Sequence, residues 1–293
     1  MIPDKFEYFA PSTIAEAIDL LQRYPGEAKI LAGGQSLIPL MKFRLTSPAY
    51  VVDLRKVSGL SGLEERDGTL AIGAMVREAT LEHAALIQHR YHGLAETSGA
   101  VADPLVRNFA TIGGNLAHAD PANDHPAMML ALRAQVVAEG PAGRRQMPVE
   151  DLIVDALETS LAPDEILVEI LVPRSAPHSG SAYYKLERKV GDYAIAGVAA
   201  HVTLDGDTCA RAGLGLTNVG SKAIRPVDAE QFLVGKRLAD AEVIREAARL
   251  AATAAEPTSD LRGPAEYKRA MVRTLTARAL RTAAQRAMEG AVQ

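Results

Sequence analysis

Two short segments carry residue types suited to holding an anion: Ala32-Gly33-Gly34-Gln35-Ser36, followed by Leu37, and Thr111-Ile112-Gly113-Gly114-Asn115. Glycine lacks a Cβ and tolerates positive φ, so a glycine pair lets backbone N–H groups press against a phosphate while neighbouring Ser, Thr, Gln and Asn side chains add donors. Either pair alone could be no more than a tight turn. Two of them converging on one site would suit a diphosphate. Neither has the G-x-G-x-x-G spacing of a Rossmann site, and the sequence contains no G-x-x-x-x-G-K-[ST] loop.

A second constellation runs from His118 to His125 and includes Asp120 and Asp124. Its two His and two Asp could ligate a metal, but their spacing fits neither H-E-x-x-H nor a facial triad, so no metal site is assigned. The alternative is a polar loop in which Asp124, near a helix start, accepts hydrogen bonds from a ribose or polyol. A third cluster, Lys185 to Tyr193, leads basic residues into an Asp-Tyr pair. Tyr193 could stack on a planar ring, and Lys185 could place a positive charge beside a ring carbonyl or a phosphate. On the residues alone, a solvated edge with a structural tyrosine explains this cluster equally well. Ser36, Ser98 and Ser160 lack a G-x-S-x-G frame, and the remaining histidines are scattered, so serine-hydrolase chemistry has no support.

The elements that must position these residues follow from periodicity. Thr13-x-x-Glu16 has capping-box spacing, and Ile14, Ala17, Ile18 and Leu21 recur at helical intervals up to the break at Pro25-Gly26. Residues 29–32 read as a buried strand feeding the first glycine pair into a short helix over 37–44, and 50–54 as a second strand. Asp67-Gly68 marks a hairpin. Helices are expected up to His89, over 91–100 and over 126–132, with strands at 135–139 and 166–172. Pro173, Pro177 and Gly180 make 174–181 the best linker candidate. Beyond it, 182–187, 198–204 and 211–216 read as an antiparallel meander, and 227–233, 239–255 and 267–288 as helices.

Composition narrows the function classes. The chain has 293 residues, 48% of them hydrophobic, enough for a substantial core and more than one domain. Its net charge of −4 offers no general attraction for nucleic acid or an anionic membrane. No apolar leader and no run of about 18 apolar residues is present, so a cytoplasmic location is expected. Cys209 is the single cysteine, which excludes a disulfide framework or an iron–sulfur cluster built within this chain.

The stretches A-G-G-Q-S-L-I-P-L-M-K-F-R-L (32–45), T-I-G-G-N-L-A-H-A-D-P-A-N-D (111–124) and the 185–193 cluster occur in order, and Y-K-R-A-M-V-R-T-L-T-A-R-A-L follows at 267–280. With them the chain resembles the FAD-binding medium subunits of xanthine-oxidase-type molybdenum hydroxylases, most of all those of aerobic carbon monoxide dehydrogenases. The resemblance implies an α+β protein. A two-lobed FAD domain of the PCMH or vanillyl-alcohol-oxidase type (residues 1–175, lobes about 1–57 and 58–175) would precede a C-terminal domain of antiparallel sheet plus helices (180–293). It implies that Ala32, Gly33, Gly34, Gln35, Ser36 and Leu37, with Thr111, Ile112, Gly113, Gly114 and Asn115, hold the FAD diphosphate. Asp124 would contact the ribityl or ribose portion, Lys185 and Tyr193 would lie by the isoalloxazine, and the Leu161 backbone would meet the flavin edge.

Molybdenum cofactor and [2Fe–2S] clusters would reside in a large and a small partner subunit, in a dimer of heterotrimers. Electrons would leave to a quinone or another acceptor, with the complex peripheral at the inner face of the membrane. Flavin subunits of aromatic, nicotine-type or purine hydroxylases are the alternative. A stand-alone flavin dehydrogenase, or a metal-dependent hydrolase built on His118, Asp120, Asp124 and His125, ranks below them.

Overall fold

The computed structural model describes residues 2–290. The first helix, Ile14–Arg23, is set by its cap: Thr13 Oγ1 accepts the Glu16 N–H at 3.2 Å, and the Glu16 carboxylate reaches back to the Ser12 N–H at 2.7 Å. That reciprocal pair satisfies two donors that no helical carbonyl can reach. The buried face of the helix (Ala17, Ile18, Leu21) packs with Val52 and Leu54. Beside it, Tyr50–Asp53 is the middle strand of a three-stranded parallel sheet flanked by Glu7–Phe9 and Ala28–Leu31. The Glu7–Phe9 strand was not legible from periodicity because three residues carry no repeat.

A second sheet has five antiparallel strands in the order Leu63–Arg66, Thr69–Gly73, Ile166–Pro173, Gln135–Gly140, Gly143–Pro148. Asp67 and Gly68 both take positive φ, +49° and +74°, as a two-residue hairpin turn requires. The central strand, Ile166–Pro173, is hydrophobic on both faces because it is covered on both. Ile166 and Val168 join the core under the first helix, with Ala17, Ile18 and Val52, while Leu167, Ile170 and Val172 join the main core beneath the second glycine segment.

The third sheet, Ser179–Leu186, Ala196–Asp205 and Thr208–Thr217, is the expected antiparallel meander. Its strands alternate. Ala182, Val198, Ala200 and Val202 face the helices Ala241–Ala254 and Ala265–Glu289, whereas Tyr183 and Ala199 belong to the main core with the helix His125–Ala131. The apolar core therefore runs on through the sheet. Gly213 and Gly215 explain the close seating of that helix, since a Cβ on either would lie about 2 Å from the Ala131 or Ala127 carbonyl oxygen. Part of the expected 174–181 linker is structured: the strand begins at Ser179, and Gly180 permits contact with the Ala283 carbonyl, 2.1 Å from where its Cβ would sit. No helix among the described residues is long and apolar enough to cross a membrane.

Candidate functional site

The fold brings the two glycine segments into contact. A Cβ on Gly33 would lie 2.2 Å from the Phe109 carbonyl oxygen and 2.8 Å from Ala110 Cα, and a Cβ on Gly114 would lie 3.6 Å from the Ala32 Cβ. The two segments nevertheless differ in kind. In the first, Gly34 has φ +75° and the N–H groups of Gly33, Gly34, Gln35, Ser36 and Leu37 take no protein acceptor among the described residues. Ser36 precedes the helix Leu37–Lys42 and makes no side-chain cap, and the Gln35 side chain folds back on the Gly33 carbonyl at 3.3 Å. Five successive free donors in a left-handed bend are the makings of an anion cradle.

The second segment corrects the expectation of a matching turn. Residues Ile112–His118 form a helix, capped by Thr111 Oγ1 accepting from the Gly114 N–H at 3.2 Å. Its other early donors are already committed: Ile112 to Val76, Gly113 to Ala74 and Asn115 to the Thr111 carbonyl, at 2.9–3.1 Å. Gly113 is glycine for packing, since its Cβ would sit 2.5 Å from the Ala74 Cβ. What this segment offers a ligand is the partly exposed backbone at Gly114 and side chains at Thr111 and Asn115. Asn115 Oδ1 is buried with no hydrogen-bond partner, a group that a ligand hydroxyl would satisfy.

Asp124 lies deeper, 5% exposed, at the start of the helix His125–Ala131. Its Oδ1 accepts from the Tyr183 hydroxyl at 2.5 Å and its Oδ2 from Lys185 Nζ at 3.1 Å. Burial pushes the Asp124 carboxyl above the usual carboxylate range, opposed by the Lys185 charge and the Tyr183 bond. Burial and the adjoining carboxylate push the Tyr183 phenol well above its ordinary value. Lys185 also donates to the Ala100 carbonyl at 2.9 Å and lies 3.5 Å from Glu187 Oε2. Its ammonium thus lies between two carboxylates, whereas the sequence suggested a charge beside a ring carbonyl or a phosphate.

Tyr193 is half exposed, and the Arg262 guanidinium lies 5.5 Å from its ring centroid. Arg262 donates to Asp192 Oδ1 at 3.1 Å, and that oxygen also accepts the Tyr193 N–H at 2.8 Å, which fixes the ring's base. Burial, with the charge of Asp120 next, raises the Tyr193 phenol. Leu161 is partly buried against the main core. His125 turns away from the metal reading: its Nε2 is 2.6 Å from Glu78 Oε2, both side chains fully buried. No group of three metal-ligating side chains gathers among the described residues.

Against this geometry, a model of the FAD binding domain in molybdopterin dehydrogenase matches residues 4–175, and one of the CO dehydrogenase flavoprotein C-terminal domain matches residues 181–283. The chain belongs to the molybdopterin-dehydrogenase flavoprotein family. It is 43% identical over 283 residues to the carbon monoxide dehydrogenase medium chain of Hydrogenophaga pseudoflava, covering 97% of this chain and 98% of that one. It is 39% identical to the 6-hydroxypseudooxynicotine dehydrogenase complex subunit alpha of Paenarthrobacter nicotinovorans, covering 98% and 97%. The carbon monoxide dehydrogenase structure from Hydrogenophaga pseudoflava that lacks the Mo-pyranopterin moiety superimposes with a TM-score of 0.95 at 44% identity, covering 98% and 99%. The chain is thus an FAD-binding oxidoreductase subunit of the medium-chain type, and its relatives work in multi-subunit complexes.

Sequence reasoning missed the residues that tie the site together. Asn123 Nδ2 donates to the Asn115 carbonyl at 2.7 Å, while the Asn123 carbonyl accepts from Thr217 Oγ1. The Asn218 N–H bonds to the Pro121 carbonyl at 2.9 Å and its side chain to the Ala194 carbonyl. Thr217, Asn218, Tyr183 and Arg262 all come from the C-terminal part and carry no local motif. For Tyr183 a signal existed: a phenol at an inward position of an otherwise Ala- and Val-rich meander needs a buried partner.

Proposed function

We propose that this chain is the flavin-carrying electron-exit subunit of a molybdenum-containing carbon monoxide dehydrogenase, with lobes at about 1–57 and 58–175 and a C-terminal domain over 180–293. The observation that carries the reading is the run of free N–H groups from Gly33 to Leu37, in a segment that packs beside the second glycine pair through Ala32 and Gly114. That arrangement fits a diphosphate: the first segment supplies backbone donors, and Thr111 and Asn115 supply side-chain contacts. Asp124 accepts from a ribityl hydroxyl, Tyr193 stacks on the isoalloxazine, and the Leu161 backbone borders the ring. FAD, when bound, supplies the redox carrier, and the protein's part is to position it and tune its potential.

The single, buried Cys209 leaves this chain without ligands for an iron–sulfur relay, which fits clusters and molybdenum cofactor housed in small and large partner subunits. We place two such heterotrimers together in the cytoplasm, at the inner face of the membrane, with a quinone as acceptor. The 39% identity to the 6-hydroxypseudooxynicotine dehydrogenase subunit supports a second reading, the flavin subunit of a nicotine-type hydroxylase. Purifying the native complex, and determining its subunits, metals, flavin and reduction by carbon monoxide against aromatic, nicotine-like and purine substrates, tests both. Assembled material that is colourless and takes up no added FAD would overturn the function proposed.

A further inference from the structure

The buried unit around Asp124 contains a group that neither the flavin motifs nor the reading above uses, Tyr183. Its hydroxyl donates to Asp124 Oδ1 at 2.5 Å, and its ring lies in the main core. The neighbouring backbone is anchored on both sides: the Tyr183 N–H donates to Glu96 at 2.9 Å, and the Ser181 carbonyl accepts from Arg286 at 2.6 Å. A phenol so fixed has little freedom to follow a moving carboxylate. The strand therefore sets where Asp124 points.

Resting on the FAD reading, we propose that Tyr183 is a positioning residue, which holds Asp124 ionised and oriented so that the carboxylate meets the ribityl chain of FAD. The argument is one of charge accounting. Lys185 is the single cation on Asp124, and its ammonium is divided between Asp124 and Glu187, whose Oε2 is buried without a hydrogen-bond partner. A cation shared with a second carboxylate compensates Asp124 incompletely, and the neutral hydroxyl of Tyr183 adds stabilisation without adding charge. The titratable and charged groups around Asp124 are Tyr183 and Lys185 from the strand Ser179–Leu186, and His125 from its own helix. Glu187 acts through Lys185, and Glu78 engages His125 from the helix Glu78–His83.

Asp124 already lies above the ordinary carboxylate range through burial, and the Tyr183 bond pulls it down. An acceptor carboxylate works in its ionised form, so FAD affinity is present above the Asp124 pKa and is lost as pH falls through it. Removing the hydroxyl raises that pKa further and moves the loss to higher pH.

The test is FAD binding by the deflavinated, fully assembled complex, followed by quenching of flavin fluorescence from pH 8 down to about pH 5, with folding monitored in parallel by circular dichroism. Tyr183→Phe keeps the ring and its packing. In this variant the acid limb of FAD affinity is expected to shift upward by about one pH unit, a tenfold change in proton affinity. On an Asp124→Asn background, where there is no carboxylate to titrate, the same substitution should leave the pH profile unchanged. A Tyr183→Phe complex that binds FAD with the wild-type pH profile overturns the proposal and leaves the FAD reading standing. A shift that persists on the Asp124→Asn background would also overturn it. Failure of the wild-type complex to bind FAD at any pH overturns the FAD reading and this proposal with it.

Discussion

The two glycine pairs look alike in sequence and do different work. Gly33-Gly34 opens a loop in which one glycine takes φ +75° and successive N–H groups are left free, whereas Gly113-Gly114 lies inside a helix whose early donors are spent on Ala74, Val76 and Thr111. In the second pair the division is finer still. Gly113 is small so that the helix can press on Ala74, and Gly114 is small on the side facing Ala32. Gly33 and Gly113 are both small for close backbone contacts, with Phe109 and with Ala74, and it is the free donors around Gly33 that set the first segment apart.

Substitutions separate these roles. The largest effect is expected for Gly33→Ala, whose methyl would sit 2.2 Å from a backbone oxygen that no rotamer change can move. It should lower stability by about 3 kcal/mol or more, visible as a drop in melting temperature even without flavin. Wild-type melting would mean that the two segments are not in the contact described. Gly114→Val should cost less stability, because its Cβ would meet a side-chain hydroxyl rather than backbone, Thr111 Oγ1 at 2.9 Å, which gives way with loss of the helix cap, and the Ala32 Cβ at 3.6 Å; FAD retention is lost. Full flavin occupancy in the purified variant would remove the second segment from the cofactor site.

Asn115→Ala should weaken FAD roughly tenfold, the cost of about one hydrogen bond, and leave melting of the apoprotein nearly unchanged, since Oδ1 has no protein partner to lose. Equal affinity would imply that a water satisfies that oxygen. Tyr193→Phe is expected to have the smallest effect on binding, because the ring and the Arg262 contact survive. Its signature is altered flavin reduction or reoxidation in stopped-flow traces at unchanged FAD content, and identical traces would take the hydroxyl out of the electron path.

Much of the local architecture was legible because it is locally encoded. Thr13 and Glu16 announce a capped helix, Asp67-Gly68 a hairpin, and the alternation around Val198, Ala200 and Val202 a half-buried meander. Short elements without a period were not legible: the strand Glu7–Phe9, the strand Gly143–Pro148 with four exposed residues at its start, and the helix that swallows the second glycine pair. Gly180 read as part of a linker because glycine and proline cluster there, yet it is glycine so that a strand can lie against the Ala283 carbonyl.

By itself the sequence determined the family, through ordered motifs, and the absence of sulfur ligands for a cluster, through composition. Both are properties of which residues exist, and folding cannot change them. Tertiary structure decided which donors are free and which are spent, because a hydrogen bond is a pairing between segments. Whether Gly114 N–H meets Thr111 or a ligand, and whether Lys185 meets a flavin or is divided between Asp124 and Glu187, depends on partners brought in from elsewhere in the chain.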